Sequence, residues 1–260
     1  MPYQTLTFET AGEIATITLN RPDKRNAISS DMIADLFSAF TKVEASRARV
    51  LIVTGAGNSF CSGMDLEELK AIATQSPTEH LEDARRMARL LRRIWGFPKP
   101  TIAAVNGPAI AGGCGIATLC DFTFSAPEAT FGYPEVRIGF LPAIVSVFLT
   151  RQVGEKHARD LLLSGRVIDA TEALRLGLVT KVATSQNSMA TAKAQATELL
   201  ACSPSSLLKT KKMLCNFAAP ELDRELEVAI TENAQIRSKP DFREGLTAFL
   251  EKRRPRWVLK

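Results

Sequence analysis

Apolar and polar residues alternate from Glu13 to Leu19, the period-two rhythm of a strand with one buried face. Asn20-Arg21-Pro22-Asp23 breaks it, and Ser29-Ser30-Asp31 opens a helix whose Met32, Leu36, Phe37, Phe40 and Val43 share a face. The continuous apolar run from Val50 to Thr54 predicts a buried strand, stopped by Gly55-Ala56-Gly57-Asn58. A polar helix is expected from about Thr78 to Trp95, with Leu81, Ala84, Met87, Leu91 and Ile94 as its stripe. A further strand, Thr101 to Val105, leads through Asn106-Gly107-Pro108 into a glycine-rich turn and a helix through Ile116, Ala117 and Leu119. The alternation continues through Phe122–Phe124 and a short helix from Asp169 to Leu176, which opens with an Asp-Ala-Thr-Glu capping box and closes at Gly177. From about Ser188 the strand signal stops. Helical pattern runs to Glu251, and Pro204, Pro220 and Pro240 divide it into four expected segments. An α/β front of residues 1–195 and a helical rear of residues 196–260 imply one core plus a helical module.

Composition narrows the function class. With 260 residues, 45% hydrophobic and 23% charged, the chain can bury a large core. The five cysteines have no framework spacing, and neither a secretory leader nor an apolar run of roughly 18 residues is visible, so a reduced cytoplasmic setting is expected. The net charge is +5, but the last ten residues hold five cations against one anion and account for +4 of it. The body is close to neutral, unlike the broad basic face of a nucleic-acid binder.

The candidate chemistry is defined partly by what is missing. The two histidines, His80 and His157, fall in polar helical stretches and read as solvated. No Gly-x-Ser-x-Gly elbow is present, and Cys114 and Cys120 lack neighbours for metal ligation. The turn from Gly107 to Cys114 has the glycine spacing of a phosphate loop, yet Gly113 and Cys114 replace its Lys and Ser/Thr. Carboxylates and backbone dipoles remain. Gly112-Gly113 at a helix start either packs a helix tightly against a strand or lets a ligand approach free N–H groups that would stabilise an oxyanion. The loop from Asn58 to Leu66 enters a second helix in the same way. Glu135 lies among apolar and conformationally fixed residues from Ala129 to Ala143. It is either a structural ion pair, with Arg137 or another cation, or a carboxyl held with a raised pKa for proton transfer.

Together these segments resemble the enoyl-CoA hydratase/isomerase superfamily, the crotonase-like proteins. The likeness runs from Leu19-Asn20-Arg21-Pro22 to Glu251-Lys252-Arg253 and includes the stretch from Phe60 to Leu66, Ala104 to Gly107, Gly112-Gly113, Cys120-Asp121 and Phe131-Gly132-x-x-Glu135. The resemblance implies an α/β fold, a crotonase-like spiral of ββα units with a C-terminal helical trimerisation region, assembled as a homotrimer or a dimer of trimers. It implies acyl-CoA double-bond chemistry through an enolate, with the amides of Met64 and Gly112 as the oxyanion hole and Glu135 as acid/base. It places Lys24, Arg25, Ala27, Ser62, Asp65, Leu66 and Tyr133 along the substrate, and brings Phe249 and Lys252 to CoA from a neighbouring subunit. Coenzyme A then enters as part of the thioester substrate, and no cofactor, metal, membrane or nucleic-acid partner is expected.

One departure matters. Two-carboxylate hydratases of this family carry a second glutamate three residues after the oxyanion glycine, and here that position is Gly115. A single carboxylate favours moving a proton between carbons, although the segment from Glu135 to Ala143 also resembles hydratase-like members that share this glycine. Tyr133 and Glu68 are the candidate substitutes, and residues 66–73 and 133–147 the expected acyl pocket. Two alternatives stand beside the enzyme: a non-catalytic acyl-CoA-binding homologue, and an RNA-binding relative using the basic tail.

Overall fold

The computed structural model describes residues 3–72, 74–184 and 187–258. Residue 73 of the expected acyl pocket and the last two residues of the basic tail lie outside them. The chain opens with β1 (Leu6–Ala11) and β2 (Ile14–Leu19), an antiparallel pair, followed by α1 (Ser30–Ala45) and β3 (Val50–Gly55). Ser29 starts α1 by accepting the amide of Met32 on its hydroxyl at 3.2 Å. Next come α2 (Leu66–Ile72), α3 (Pro77–Trp95), β4 (Thr101–Val105), β5 (Ala109–Ile110), α4 (Gly112–Thr118), β6 (Phe122–Ser125) and β7 (Thr130–Gly132). A 3-10 turn over Pro134–Ile138 leads into α5 (Ala143–Ser164), β8 (Val167–Asp169), α6 (Ala170–Arg175) and β9 (Lys181–Val182). The described chain closes with α7 (Ser188–Leu200), α8 (Pro204–Ile236) and α9 (Pro240–Leu250).

Six strands form one sheet in the order β1-β2-β3-β4-β6-β9, parallel from β2 onward; β5, β7 and β8 form a second. The continuous apolar runs of β3 and β4 follow from burial on both faces. Val50, Ile52, Ile102 and Ala104 pack under Ala192, Ala196 and Leu199 of α7. The alternate residues Leu51, Val53, Ala103 and Val105 face the main core with α1, α3 and α5.

The structure corrects the sequence reading in four places. β1 carried no signal, because only Leu6 of its six residues is buried; Phe8 is half-buried against the core and the other four residues of this edge strand are exposed. Asp169 caps α6 by accepting the amide of Glu172 at 2.7 Å, but Glu172 completes no box; its carboxylate pairs with Arg166. Pro220 does not divide the rear of the chain. It sits inside the 33-residue α8, so three helices form there rather than four. Just beyond the proline, Leu222, Leu226, Ala229 and Ile230 are buried against the main core, and this burial offsets the ~3 kcal/mol that an interior proline costs. The exposed ion pairs of Asp223 with Arg92 (2.6 Å) and Glu225 with Arg151 (2.6 Å) add little. Finally, His157 is exposed as expected, but His80 is buried, with Nε2 at 3.0 Å from the carbonyl of Ile72.

Candidate active site

The first loop of the site is built by Asn26, whose side chain is fully buried. Its Oδ1 accepts the amide of Arg21, and its Nδ2 donates to the carbonyls of Ala56 and Ser59. This holds Arg25 and Asn26 in the left-handed region, at φ 49° and 54°. Arg21 reaches across the loop, donating to the carbonyl of Ala27 at 2.6 Å and pairing with Asp65 at 2.8 Å. Burial alone would raise the Asp65 carboxyl; the backbone amide of Glu67 and the Arg21 guanidinium outweigh it and hold the carboxyl below its ordinary value.

The second loop is tied to the first through Ile28. The N–H of Ile28 donates to the carbonyl of Gly63 at 2.7 Å, and that of Asp65 to the carbonyl of Ile28 at 2.9 Å. This parallel bridge leaves the N–H of Met64 outside it. Gly63 makes the approach possible at φ 89°, where a side chain would be strained, and a Cβ there would also sit tightly, 3.1 Å from the Cβ of Ala111 and 3.2 Å from the carbonyl oxygen of Ile110. Ala111, at φ 53° and ψ −125°, is a strained N-cap for α4. Gly112 is the first helical residue, so its N–H has no acceptor within the helix.

The glycine pair divides the two readings between its members. Gly113 is the packing glycine, since a Cβ there would collide with the carbonyl oxygen of Cys61 and sit 2.7 Å from its Cβ and Sγ. Gly112 is the open one. Its nearest neighbours are flexible side-chain ends, Ile28 Cδ1 at 3.2 Å and Met87 Cε at 3.7 Å. Gly113→Ala should therefore destabilise the protein by about 2 kcal/mol through overpacking of the joint between the loops, and Gly112→Ala by clearly less. Urea unfolding of the two variants checks the ranking; equal midpoints would contradict it.

Glu135 occupies the 3-10 turn between β7 and α5. The ion pair with Arg137 does not form. Oε2 of Glu135 is sealed from solvent without a hydrogen-bond partner among the described residues, even though the residue as a whole is half-buried. Desolvation pushes the carboxyl up to about 7, against a smaller opposing effect of its own backbone amide.

A cavity of about 680 Å³ joins these pieces. Met64, Gly112 and Glu135 all line it, as do Lys24, Arg25, Ala27, Ser62, Asp65 and Leu66. A second cavity, of about 610 Å³ between α5 and α8, contains Asp121, but that carboxylate is paired with Lys211 at 2.6 Å and holds Thr101.

Two expectations about residues need correction. Tyr133 does not line the cavity: it is 1% exposed, its hydroxyl lies 3.5 Å from Thr118 Oγ1, and burial raises its pKa further. Glu68 is not a substitute carboxylate either, because it accepts the amide and hydroxyl of Ser30 at the start of α1. Phe249 also lines the cavity, and Lys252 is exposed outside its lining. Where the second glutamate would stand, a Cβ on Gly115 would meet Leu91 Cδ1 and Val145 Cγ1, each at 3.3 Å. The basic tail is partly neutralised from within, as Arg253 pairs with Glu244 (2.7 Å) and Glu251 (2.6 Å).

Sequence reasoning missed Asn233 and Arg237, which line the cavity from α8 and are 5% and 3% exposed. The signal was present. On a face otherwise made of Leu222, Leu226, Ala229, Ile230 and Ala234, two polar residues spaced four apart have no reason to turn inward unless they have partners there.

Comparison with known proteins agrees with this geometry. The sequence profile described as enoyl-CoA hydratase/isomerase matches residues 9–260. A putative enoyl-CoA hydratase of Thermus thermophilus is 42% identical over 247 residues, covering 95% of this chain and 98% of its own length. A crotonyl-CoA hydratase of Syntrophomonas wolfei is 33% identical over the full length of both. The fold matches the crystal structure of an enoyl-CoA hydratase/isomerase from Xanthobacter autotrophicus Py2 at a TM-score of 0.89 and 32% identity, covering 99% of this chain and 100% of that one. This is the crotonase fold that the sequence resemblance implied. The chain belongs to the enoyl-CoA hydratase/isomerase family.

Proposed function

We propose that this protein acts on the double bond of an enoyl-CoA thioester, through an enolate whose oxygen rests on the amides of Met64 and Gly112. The observation that carries the reading is a Glu135 carboxyl with one oxygen sealed from solvent and unpaired among the described residues, lining the same cavity as two helix-entrance loops. A carboxyl held at about 7 is present in both forms near neutrality, so it can take a proton from carbon and return it. The thioester oxygen gains charge as the proton leaves, and backbone donors in a site shielded from water stabilise that charge. CoA follows Lys24, Arg25, Ala27, Ser62, Asp65 and Leu66 toward the mouth, and the acyl group lies toward Glu135, Phe140 and Val145.

Glu135 is the proton-transfer group in this reading for both isomerisation and hydration, since both pass through the same enolate. Leu91 and Val145 occupy the place of a second carboxylate, which leaves isomerisation between 3-enoyl and 2-enoyl thioesters as the step this site supplies alone. The exposed apolar side chains Met213, Leu214 and Phe217 on the first half of α8 suit the contact between copies that a homotrimer requires.

Panels of 2-enoyl-CoA and 3-enoyl-CoA substrates, followed by ultraviolet absorbance and mass, test the reading. Interconversion or water addition on at least one member is expected. Tight binding of CoA esters with no turnover on any member would replace the enzyme with a non-catalytic acyl-CoA binder.

A further inference from the structure

The 3-10 turn that carries Glu135 is gripped from two sides by the helices at the end of the chain. On one side, α9 presents backbone to backbone. A Cβ on Gly139 would lie 2.5 Å from the carbonyl oxygen of Asp241, and a Cβ on Gly245 would collide with the carbonyl oxygen of Ile138. On the other side, α8 supplies a polar strut. The Nη1 of Arg237 donates to Asp83 of α3 at 2.7 Å, and its Nη2 donates to Oδ1 of Asn233 at 2.9 Å. The Nδ2 of Asn233 in turn donates to the carbonyl of Leu141 at 3.3 Å, just beyond the turn. The guanidinium also stacks over the ring of Phe140 at 5.5 Å, and the amide of Phe140 donates to the carbonyl of Glu135 at 3.0 Å.

The bond from Asn233, the stack of Arg237 and the close contacts of α9 all end on the segment from Glu135 to Leu141, and Arg237 and Asn233 are almost wholly buried. Nη1 and Nη2 of Arg237 and both side-chain polar atoms of Asn233 have partners, while Nε of Arg237 has none among the described residues; displacing the line would leave further desolvated donors and acceptors behind. A helix–helix brace alone would need only the Arg237–Asp83 pair. The additional bond from Asn233 to Leu141 and the stack on Phe140 direct the brace onto the turn.

We propose that Asn233 and Arg237 are positioning residues, a strut from α3 through α8 that holds the Glu135 carboxyl in its dry place in the cavity. The inference rests on Glu135 being the proton-transfer group, but its structural content does not depend on which substrate is used. The charged groups around the turn are Arg137 on the turn itself, Arg237 and Asp83 from α8 and α3, and Arg253 with Glu244 from the end of α9. None of them pairs with Glu135, so loosening the strut acts on the carboxyl chiefly by admitting water.

Asn233→Ala in the full chain tests this, because it keeps the Arg237–Asp83 pair and removes both bonds of Asn233. Titration of the Glu135 carboxyl by carbon-13 NMR, assigned against Glu135→Gln, reads the result without any substrate. The resonance should titrate at about 7 in the native protein and move toward the ordinary glutamate value in the variant. On an accepted enoyl-CoA, kcat should fall about tenfold while KM changes less than about twofold, since positioning is lost and substrate contacts are kept. Arg237→Ala should lower kcat at least as far, and Arg237→Lys, which keeps the charge beside Asp83, should recover part of that loss. Should Asn233→Ala fail to fold, Asp83→Asn weakens the same strut from its outer end, with a smaller shift of the same sign. A folded Asn233→Ala or Asp83→Asn protein whose Glu135 titrates as in the native chain would overturn the inference. An absence of turnover in the native protein would count against the enzymatic reading and leave the NMR comparison intact.

Discussion

Glu135→Gln lowers kcat on any accepted enoyl-CoA by about 10²–10⁴-fold and leaves KM nearly unchanged, the loss expected when a general acid–base group is removed and the substrate contacts stay. The native rate should rise with pH through about 7, because only the ionised carboxyl accepts a proton from carbon. The same substitution should make the protein more stable at neutral and alkaline pH. An unfolded chain ionises this glutamate near 4.5, while the folded one holds the proton until about 7. Between those values the native state binds more protons than the unfolded state, so native stability falls as pH rises, by up to about 3 kcal/mol in total. Glutamine carries no such penalty. Denaturant unfolding at about pH 4 and about pH 8 should therefore give a gap between variant and native that opens only at the higher value. Full turnover by Glu135→Gln would remove Glu135 from the mechanism, and an equal gap at both pH values would refute the burial argument.

Arg21→Ala costs about 3 kcal/mol of stability, the lower end of the cost of stripping one partner from a buried ion pair. Its carboxylate partner, Asp65, is 3% exposed, and the Arg21 side chain is only partly covered, which places the effect at that lower end. The loss should shrink on acidification. Asp65 is held below its ordinary value in the folded state, so the pair contributes fully above about 3.8 and fades as pH drops through the folded value. Arg21 also holds the carbonyl of Ala27, and Ile28 next to it bridges to the residues on either side of Met64. Activity should fall together with stability for that reason. Chemical denaturation across pH, with activity measured on the folded fraction, checks both statements, and a variant as stable as the native chain at neutral pH contradicts them.

How much of this was legible in the sequence follows from how local each signal is. The buried strands β3 and β4 and the stripe of α3 were plain, because burial on two faces or one face writes a periodicity into adjacent residues. β1 was invisible, since an edge strand with one buried residue has no pattern to show. Pro220 misled because α8 is kept continuous by packing Leu222, Leu226, Ala229 and Ile230 on a core built from residues far away in sequence. Within the site, the loops around Met64 and Gly112 could be found from glycine and small-residue placement. The choice between a packing and an open glycine could not, because it depends on Cys61 meeting Gly113 across the joint. The state of Glu135 was likewise undecided from its neighbours, and Arg137 was a natural but wrong partner. Tyr133 looked like a wall of the pocket and turned out to lie behind it, facing Thr118.

The side chains around Gly115 also bear on how this family's chemistries interconvert. Installing a glutamate there is one codon's work on paper, yet the new carboxylate would have to displace Leu91 and Val145 from a close-packed contact. The contacts are 3.3 Å, so the ends of Leu91 on α3 and Val145 on α5 must give before a side chain on α4 can enter between them, and a new carboxylate is coupled to the packing of three helices.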